Sequence, residues 1–307
     1  MPEDLLEKAT LEGCLHGVFE DFMRFNSSFM ISEQAELPRF RGSGIPHCPI
    51  HVAIDYTRPD IRVEQRSFML DYMAEHGKLV HALMQKWLGI VGMMYGKWKC
   101  AKCGAVTPTP DSGVVGVLGP VYCCNQPCDY VEYDINVPEI GYTGHCDGLL
   151  MIRNKLLPIE MKVRKADVIA RIRRSGVYNI DNITQATSYR RCLPGQLHIP
   201  AEQFHDFVGL LYFDRADIRG RALVAFPYQA GIFDAEVRSR RRTEKIVETK
   251  RFNYLRGFCR NSQDRPYCPY HSTCFAPNAA AQLERFLPGF TEPLPERIQT
   301  CPPSPQN

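Results

Sequence analysis

Apolar positions recur along this chain in two different periods. From Glu64 to Val91, Phe68, Tyr72, Leu79, Val80, Leu83, Met84, Trp87 and Leu88 stand three and four apart, which predicts one helix across the stretch. An earlier helix is predicted from Asp4 to Phe25 by Leu5, Leu11, Leu15, Val18, Phe19 and Phe22. Loose chain follows to residue 40, then a Gly/Pro-rich turn region over 41–50. Beyond residue 148 the pattern changes. Leu149 to Ile152 reads as a strand, Arg153-Asn154-Lys155 as a polar break, and Leu156 to Val163 as a second strand folding back about Asn154. Ile183 to Arg191 reads as a helix capped by Asp181 or Asn182. Strands are then predicted over 207–213 and 222–228, and a long helix from Asp234 to Phe258 that carries Arg238, Arg240, Arg241 and Arg242. Helices interleaved with strands predict an α/β fold.

Composition sets the scale. At 307 residues and 44% hydrophobic, the chain can bury one large core, or one core with small appended modules. A net charge of +3 says little about partners, so local clustering has to carry that question. Glu3, Asp4, Glu7 and Glu12 stand where a secretory leader would be basic, and no apolar stretch reaches transmembrane length. A soluble, cytoplasmic protein without a membrane partner is expected.

Thirteen cysteines change the picture, because in a reducing compartment such a count points to metal rather than disulfides. Residues 98–133 hold Cys100-x2-Cys103-Gly and then Cys123-Cys124-Asn125-Gln126-Pro127-Cys128. Two thiolate pairs suit a tetrahedral Zn2+ ribbon, with Cys100, Cys103, Cys124 and Cys128 as ligands and Cys123 as the alternative to Cys124. A closed thiolate shell leaves no open position for chemistry, so this metal is expected to be structural and its loss to spare catalysis. Near the end stand Cys259, Cys268 and Cys274, which need a distant fourth partner. Cys48, followed by Pro49, is the candidate, and His271 is a substitute ligand if the metal is zinc. Cys14, Cys192 and Cys301 are left as bystanders.

The candidate chemistry sits on the hairpin. Glu160 and Lys162 are two apart and leave their strand on one face, and the fold-back brings Asp147 opposite the neighbourhood of Met161. Two carboxylates repel when both are ionised, so a divalent cation is the natural way to keep them charged, with a lysine alongside to orient or help deprotonate a water. Taken alone, Gly-Asp and Glu-x-Lys pairs are more often a solvated strand face. His81 on an apolar helix face is, on pattern alone, more often a hydrogen-bonded core residue than a ligand. Gln185 and Tyr189 are four apart and share a helix face. The basic stretch Arg164-Lys165, Arg171, Arg173 and Arg174 suits either a solvated face or phosphate contacts.

Taken in order, Gly77-x3-His81, Gly144-x2-Asp147, Glu160-x-Lys162 and Gln185-x3-Tyr189 resemble the RecB-type branch of the PD-(D/E)xK nucleases. Cys48 with the C-terminal cysteine triplet resembles the iron–sulfur subset of that branch, which includes CRISPR-associated and phage RecB-like exonucleases. The likeness spans roughly residues 41–276. It implies a restriction-endonuclease-like core at 135–235, a mixed central sheet flanked by helices, with a helical part at 1–96 before it and the ribbon inserted at 97–134. A cluster-stapled helical region would follow at 236–280, then a tail at 281–307. It further implies Mg2+ or Mn2+ on His81, Asp147, Glu160 and the Met161 carbonyl, with Lys162 positioning the attacking water. Gln185 and Tyr189 would complete the site and touch DNA, and Cys48, Cys259, Cys268 and Cys274 would hold a [4Fe–4S] cluster. The implied activity is phosphodiester hydrolysis on DNA, as an exonuclease on single-stranded ends, in repair, recombination or phage DNA processing. The ribbon would be available to dock a protein partner. The alternatives are an assembly subunit that binds nucleic acid without cutting it, or a structured-DNA or RNA endonuclease. One departure bears on the cluster alone: the family places its first two C-terminal cysteines two residues apart, whereas eight residues separate Cys259 and Cys268.

Overall fold

The structure is a computed structural model. It describes residues 68–250 apart from 110–111, 138–141, 177–178 and 218, with side chains from Tyr72 onward. It also describes the backbone of three earlier strands and the isolated residues 53, 54, 57, 283, 284 and 287. The expected helix Asp4 to Phe25 lies outside the described residues, as do Cys48, Cys259, Cys268, Cys274 and His271.

Strands β1 (Ser28–Glu33), β2 (Phe40–Arg41) and β3 (Ile61–Arg66) precede the first described helix, and β1 and β3 pair antiparallel. The helical period expected from Glu64 therefore starts late: Ile61 to Arg66 alternates apolar with charged residues and forms a strand. Helix α1 (Phe68–Ile90) follows. Its apolar residues divide between two faces. Val80, Met84 and Leu88 pack inward, whereas Tyr72, Leu79, Leu83, Trp87 and Ile90 stand exposed.

The ribbon segment holds β4 (Tyr95–Lys99), β5 (Val106–Thr107), β6 (Val117–Leu118), β7 (Tyr122–Cys123), β8 (Gln126–Pro127) and β9 (Asp129–Val131). β4 is its spine, pairing with β5, β6 and β9. The segment is knitted into the core. Met94, just ahead of β4, bridges Leu150, and Met151 N–H donates to the Met93 carbonyl at 2.8 Å. Trp98, buried and donating from Nε1 to the Val117 carbonyl at 3.2 Å, sets the edge of its indole against α1. Gly89 permits this, since a Cβ there would meet the indole at 2.5 Å.

Next come β10 (Tyr133–Val137) and β11 (Tyr142–Cys146), an antiparallel pair, and then the central sheet. The sheet contains β12 (Gly148–Ile152), β13 (Lys155–Arg164), β14 (Phe207–Asp214) and β15 (Arg221–Pro227), side by side in that order. β12–β13 and β14–β15 are antiparallel and β13–β14 is parallel, which makes the expected mixed sheet. The hairpin turns at Arg153 and Asn154, both at positive φ, a two-residue loop whose twist suits the flanking strands. The parallel crossover from β13 to β14 runs through α2 (Ala166–Ser175) and α3 (Ile180–Leu197), and α4 (Ala230–Glu248) follows β15. The basic stretch after Arg164 is thus a short helix, pinned by buried Ile169 and Ile172 with Arg171 and Arg174 outside. The cap of α3 is Asn179, whose side chain accepts from Asp181 N–H at 2.8 Å; the expected cap Asn182 instead donates to the Tyr212 hydroxyl. α4 starts four residues ahead of its expected position.

Strand periodicity sorts the core. On β14, Val208, Leu210 and Tyr212 meet α2 and α3, while Leu211 and Phe213 face the side of α1 and the ribbon. On β13, Ile159 and Met161 share the α1 side, so Glu160 and Lys162 project toward α3. A third apolar cluster joins β10, β11, α3 and Phe233 of α4. No described helix is long and apolar enough to cross a membrane.

Candidate active site

Register builds the centre. Gly148 pairs with Ile159 and Ile159 with Gly209, and neither glycine tolerates a side chain: a Cβ would stand 2.8 Å and 2.7 Å from Ile159 atoms respectively. Ile159 is wedged between them, which fixes Asp147, the residue before Gly148, against the strand just beyond Ile159. Asp147 Oδ2 accordingly accepts from Met161 N–H at 2.7 Å.

Three side chains then close a ring with Glu160. Lys162 pairs with Glu160 Oε1 and donates to Gln185 Oε1 at 3.4 Å. Gln185 donates from Nε2 to the Tyr189 hydroxyl at 2.8 Å, and Tyr189 donates to Glu160 Oε2 at 2.5 Å. The four-residue spacing of Gln185 and Tyr189 is what lets one helix face reach both. Glu160 is wholly buried, with Oε1 in contact with the Lys162 ammonium and Oε2 taken by Tyr189. From the other side of the sheet, α1 brings His81 Nδ1 to 3.9 Å from Asp147 Oδ1, and the imidazole also hydrogen-bonds the Met161 main chain. All six side chains or main-chain groups expected from the sequence at this point, His81, Asp147, Glu160, Lys162, Gln185 and Tyr189, are therefore drawn together around the start of β12, with the backbone of Met161 among them.

Two residues were not anticipated. Gln85 is buried one turn after His81 and donates from Nε2 to both Glu132 Oε1 and the Asp147 carbonyl, each at 2.8 Å. His81, Glu132 and Asp147 offer ligand atoms within 4.8 Å of one another. Glu160 stands outside that trio, tied to Lys162 and Tyr189. The signal for Gln85 was present: a polar residue four after His81, between the apolar inward positions Met84 and Leu88. For Glu132 there was none, because it becomes adjacent only when the ribbon packs.

Burial sets the charges. Burial first, and the Lys162 ammonium second, pull the His81 imidazole down to about 4, so it is neutral with a lone pair to offer. Burial, then the neighbouring Glu160 carboxylate, push Asp147 well above the ordinary carboxylate range. For Lys162 burial works against the charged form, but Glu160 and Asp147 outweigh it and hold the ammonium above its usual range. Tyr189 is pushed up by burial and by Glu160, which keeps its proton and its role as donor. A buried glutamate, a second carboxylate resisting ionisation and a neutral imidazole together fit a hard divalent cation.

The ribbon cysteines form the second cluster. Cys100, Cys103, Cys123 and Cys124 bring their sulfurs within 4.8 Å of one another. Cys103 and Cys123 are 3.6 Å apart, and Cys123 and Cys124 3.8 Å. Sulfurs around a tetrahedral Zn2+ at ~2.3 Å stand about 3.8 Å apart, so these thiols fit such a cation. Main-chain N–H groups of Cys103, and then Lys102, draw the Cys100 thiol down to about 6 against its burial. Hydrogen bonding from Cys103, then Cys124, pushes Cys123 up to about 12. Cys128 departs from expectation: it is outside the group, buried beside Cys100, and both Cys123 and Cys124 take part. The reason is local, because Cys124 and Asn125 both adopt positive φ and the tight turn swings the two adjacent thiols to one side. Of the arginines on α4, Arg240 is buried and donates to Glu236 at 2.9 Å, which leaves Arg238, Arg241 and Arg242 on the surface.

No protein-family model matches the chain, and no curated protein matches it. Among solved structures it is similar to an alkaline exonuclease from Laribacter hongkongensis, at 13% identity and a TM-score of 0.36, over 76% of this chain and 98% of that one. It is similar at the same identity and TM-score to SSO0001, over 78% of this chain and 87% of that one. Likeness at that distance bears on neither chemistry nor substrate.

Proposed function

We propose that this chain is a Mg2+- or Mn2+-dependent DNA nuclease, a phosphodiester hydrolase of the RecB type that acts on single-stranded ends. The observation that carries the reading is the convergence on the buried carboxylates of Asp147 and Glu160 of one lysine, one neutral imidazole and a Gln–Tyr pair. His81, Asp147, Glu160 and the Met161 carbonyl would hold the cation. When bound, it supplies Lewis acidity that eases water deprotonation and stabilises charge on phosphate oxygens.

The remaining chemistry belongs to the side chains. Lys162 is held charged, so its part is donation: it orients the attacking water or a non-bridging phosphate oxygen rather than taking a proton. Gln185 and Tyr189 keep Glu160 and Lys162 in one geometry, which is what in-line attack requires. Exposed Arg171 and Arg174 on α2, which leads out of the catalytic strand, suit the phosphate backbone. The thiols of the ribbon would hold a structural Zn2+.

End-labelled single-stranded, duplex and circular DNA incubated with Mn2+ test the reading. Linear single strands should be shortened while circles survive, and Glu160→Gln or Lys162→Ala should reduce the rate about 10²–10⁴-fold with the fold intact. Cleaved circles would make it an endonuclease. Binding without any cleavage would make it an assembly subunit.

A further inference from the structure

The last strand of the ribbon ends beside the candidate active site, and the residue it delivers there is a carboxylate. Glu132 lies between β9 and β10, half-buried, one step beyond the Tyr133–Cys146 pair and so across from Asp147. Gln85 holds it: one amide nitrogen donates to Glu132 Oε1 and to the Asp147 carbonyl, both at 2.8 Å. That shared donor fixes the two acidic residues relative to each other and to α1, one turn after His81. His81, Gln85 and Gly89 follow one another at four-residue intervals, so one helix face presents the imidazole, braces the carboxylate and seats Trp98 of the ribbon.

The distances suit a cation. Ligand atoms of His81, Glu132 and Asp147 all lie within 4.8 Å of one another, about the widest separation that two ligands 2.0–2.4 Å from a shared divalent ion can have. Among the described residues no lysine or arginine forms an ion pair with Glu132, and the Lys162 ammonium that acts on Asp147 is itself tied to Glu160. Glu160 of the same centre is wholly buried, with Oε1 against the Lys162 ammonium and Oε2 accepting from Tyr189.

We infer that Glu132 is a cation ligand of this centre: with His81 and Asp147 it forms a seat for Mg2+ or Mn2+, braced by Gln85 and supplied by the ribbon. The inference rests on the nuclease reading and deepens it, since the motif residues alone do not include this carboxylate. It also gives the ribbon a part in the chemistry, through the strand that ends at residue 132.

Mn2+ affinity of the full-length, DNA-free chain, read by electron paramagnetic resonance of the free ion, decides the matter. Glu132→Gln keeps an oxygen for Gln85 and removes only the charge. It should weaken Mn2+ binding about tenfold or more while the metal-free melting temperature stays that of the wild type. Glu160→Gln is measured in parallel. Unchanged affinity in Glu132→Gln, with weakened affinity in Glu160→Gln, overturns the role of Glu132 and leaves the nuclease reading standing. A wild type that neither binds Mn2+ nor cleaves DNA brings down that reading and this inference with it. Should Glu132→Gln unfold, Glu132→Asp, which keeps the charge on a shorter arm, is read the same way: weaker binding supports the ligand role, unchanged binding overturns it.

Discussion

Asp147 is the residue on which protonation and cation binding compete most directly. Its folded-state proton affinity is raised, by burial and by Glu160, above that of the unfolded chain. In the cation-free protein its contribution to stability is therefore complete at low pH and is lost as pH rises through the raised value. A cation needs the carboxylate and so works in the opposite sense, its apparent affinity rising over the same window as the proton leaves. His81 does not limit binding there, because its imidazole is already neutral above about 4. The increase in melting temperature on adding Mn2+ should thus grow as pH rises above the ordinary carboxylate range. A thermal-shift series flat above that range would show that Asp147 does not ligate the ion. Lys162 sits on the same balance: two carboxylates keep it charged, which suits it to hold a water or phosphate oxygen and unsuits it as a base.

Among the elements, β13 and the ribbon matter most. β13 carries both polarities of the site, with Ile159 and Met161 anchored toward α1 and Glu160 and Lys162 turned toward α3, because alternate side chains leave a strand on opposite faces. The ribbon segment, expected from its closed thiolate pattern to be separable from catalysis, is continuous with the core through Met93, Met94 and Trp98 and ends at Glu132. A Zn2+ held by its thiols should accordingly be coupled to the active site. Cys103→Ser should lower the zinc content of the protein and also lower the cleavage rate and Mn2+ affinity, through loss of the β9 register. Metal analysis together with a cleavage assay on short DNA checks this. Full activity in a zinc-free variant would return the ribbon to the status of an independent module.

For the whole molecule, the sheet separates two helical layers, α1 with the ribbon on one side and α2 with α3 on the other, and the candidate site draws on both. The sequence pattern also leads to a proposal for cysteines outside the described residues: Cys48, Cys259, Cys268 and Cys274 would hold a [4Fe–4S] cluster. Anaerobically purified protein should be brown, and Cys48→Ala and Cys268→Ala should each lose the colour. A colourless wild type with zinc in place of iron would assign those cysteines to a second zinc site.

The hairpin around Asn154, the pairing of Glu160 with Lys162 and the face shared by Gln185 and Tyr189 were legible in the chain itself. Each depends on short-range periodicity, two residues in a strand and four in a helix, and on a turn sequence that accepts positive φ. The strand at Ile61–Arg66 was hidden in a helical reading because apolar spacing over a few residues serves both periods. That α1 would bury Val80, Met84 and Leu88 while leaving Leu83 and Trp87 outside was decided only by what packed against it. Likewise, nothing local marks Glu132, or Cys123 over Cys128. Those assignments arise where the ribbon meets α1, between groups brought together by packing rather than by spacing, and that is a property of the tertiary structure alone.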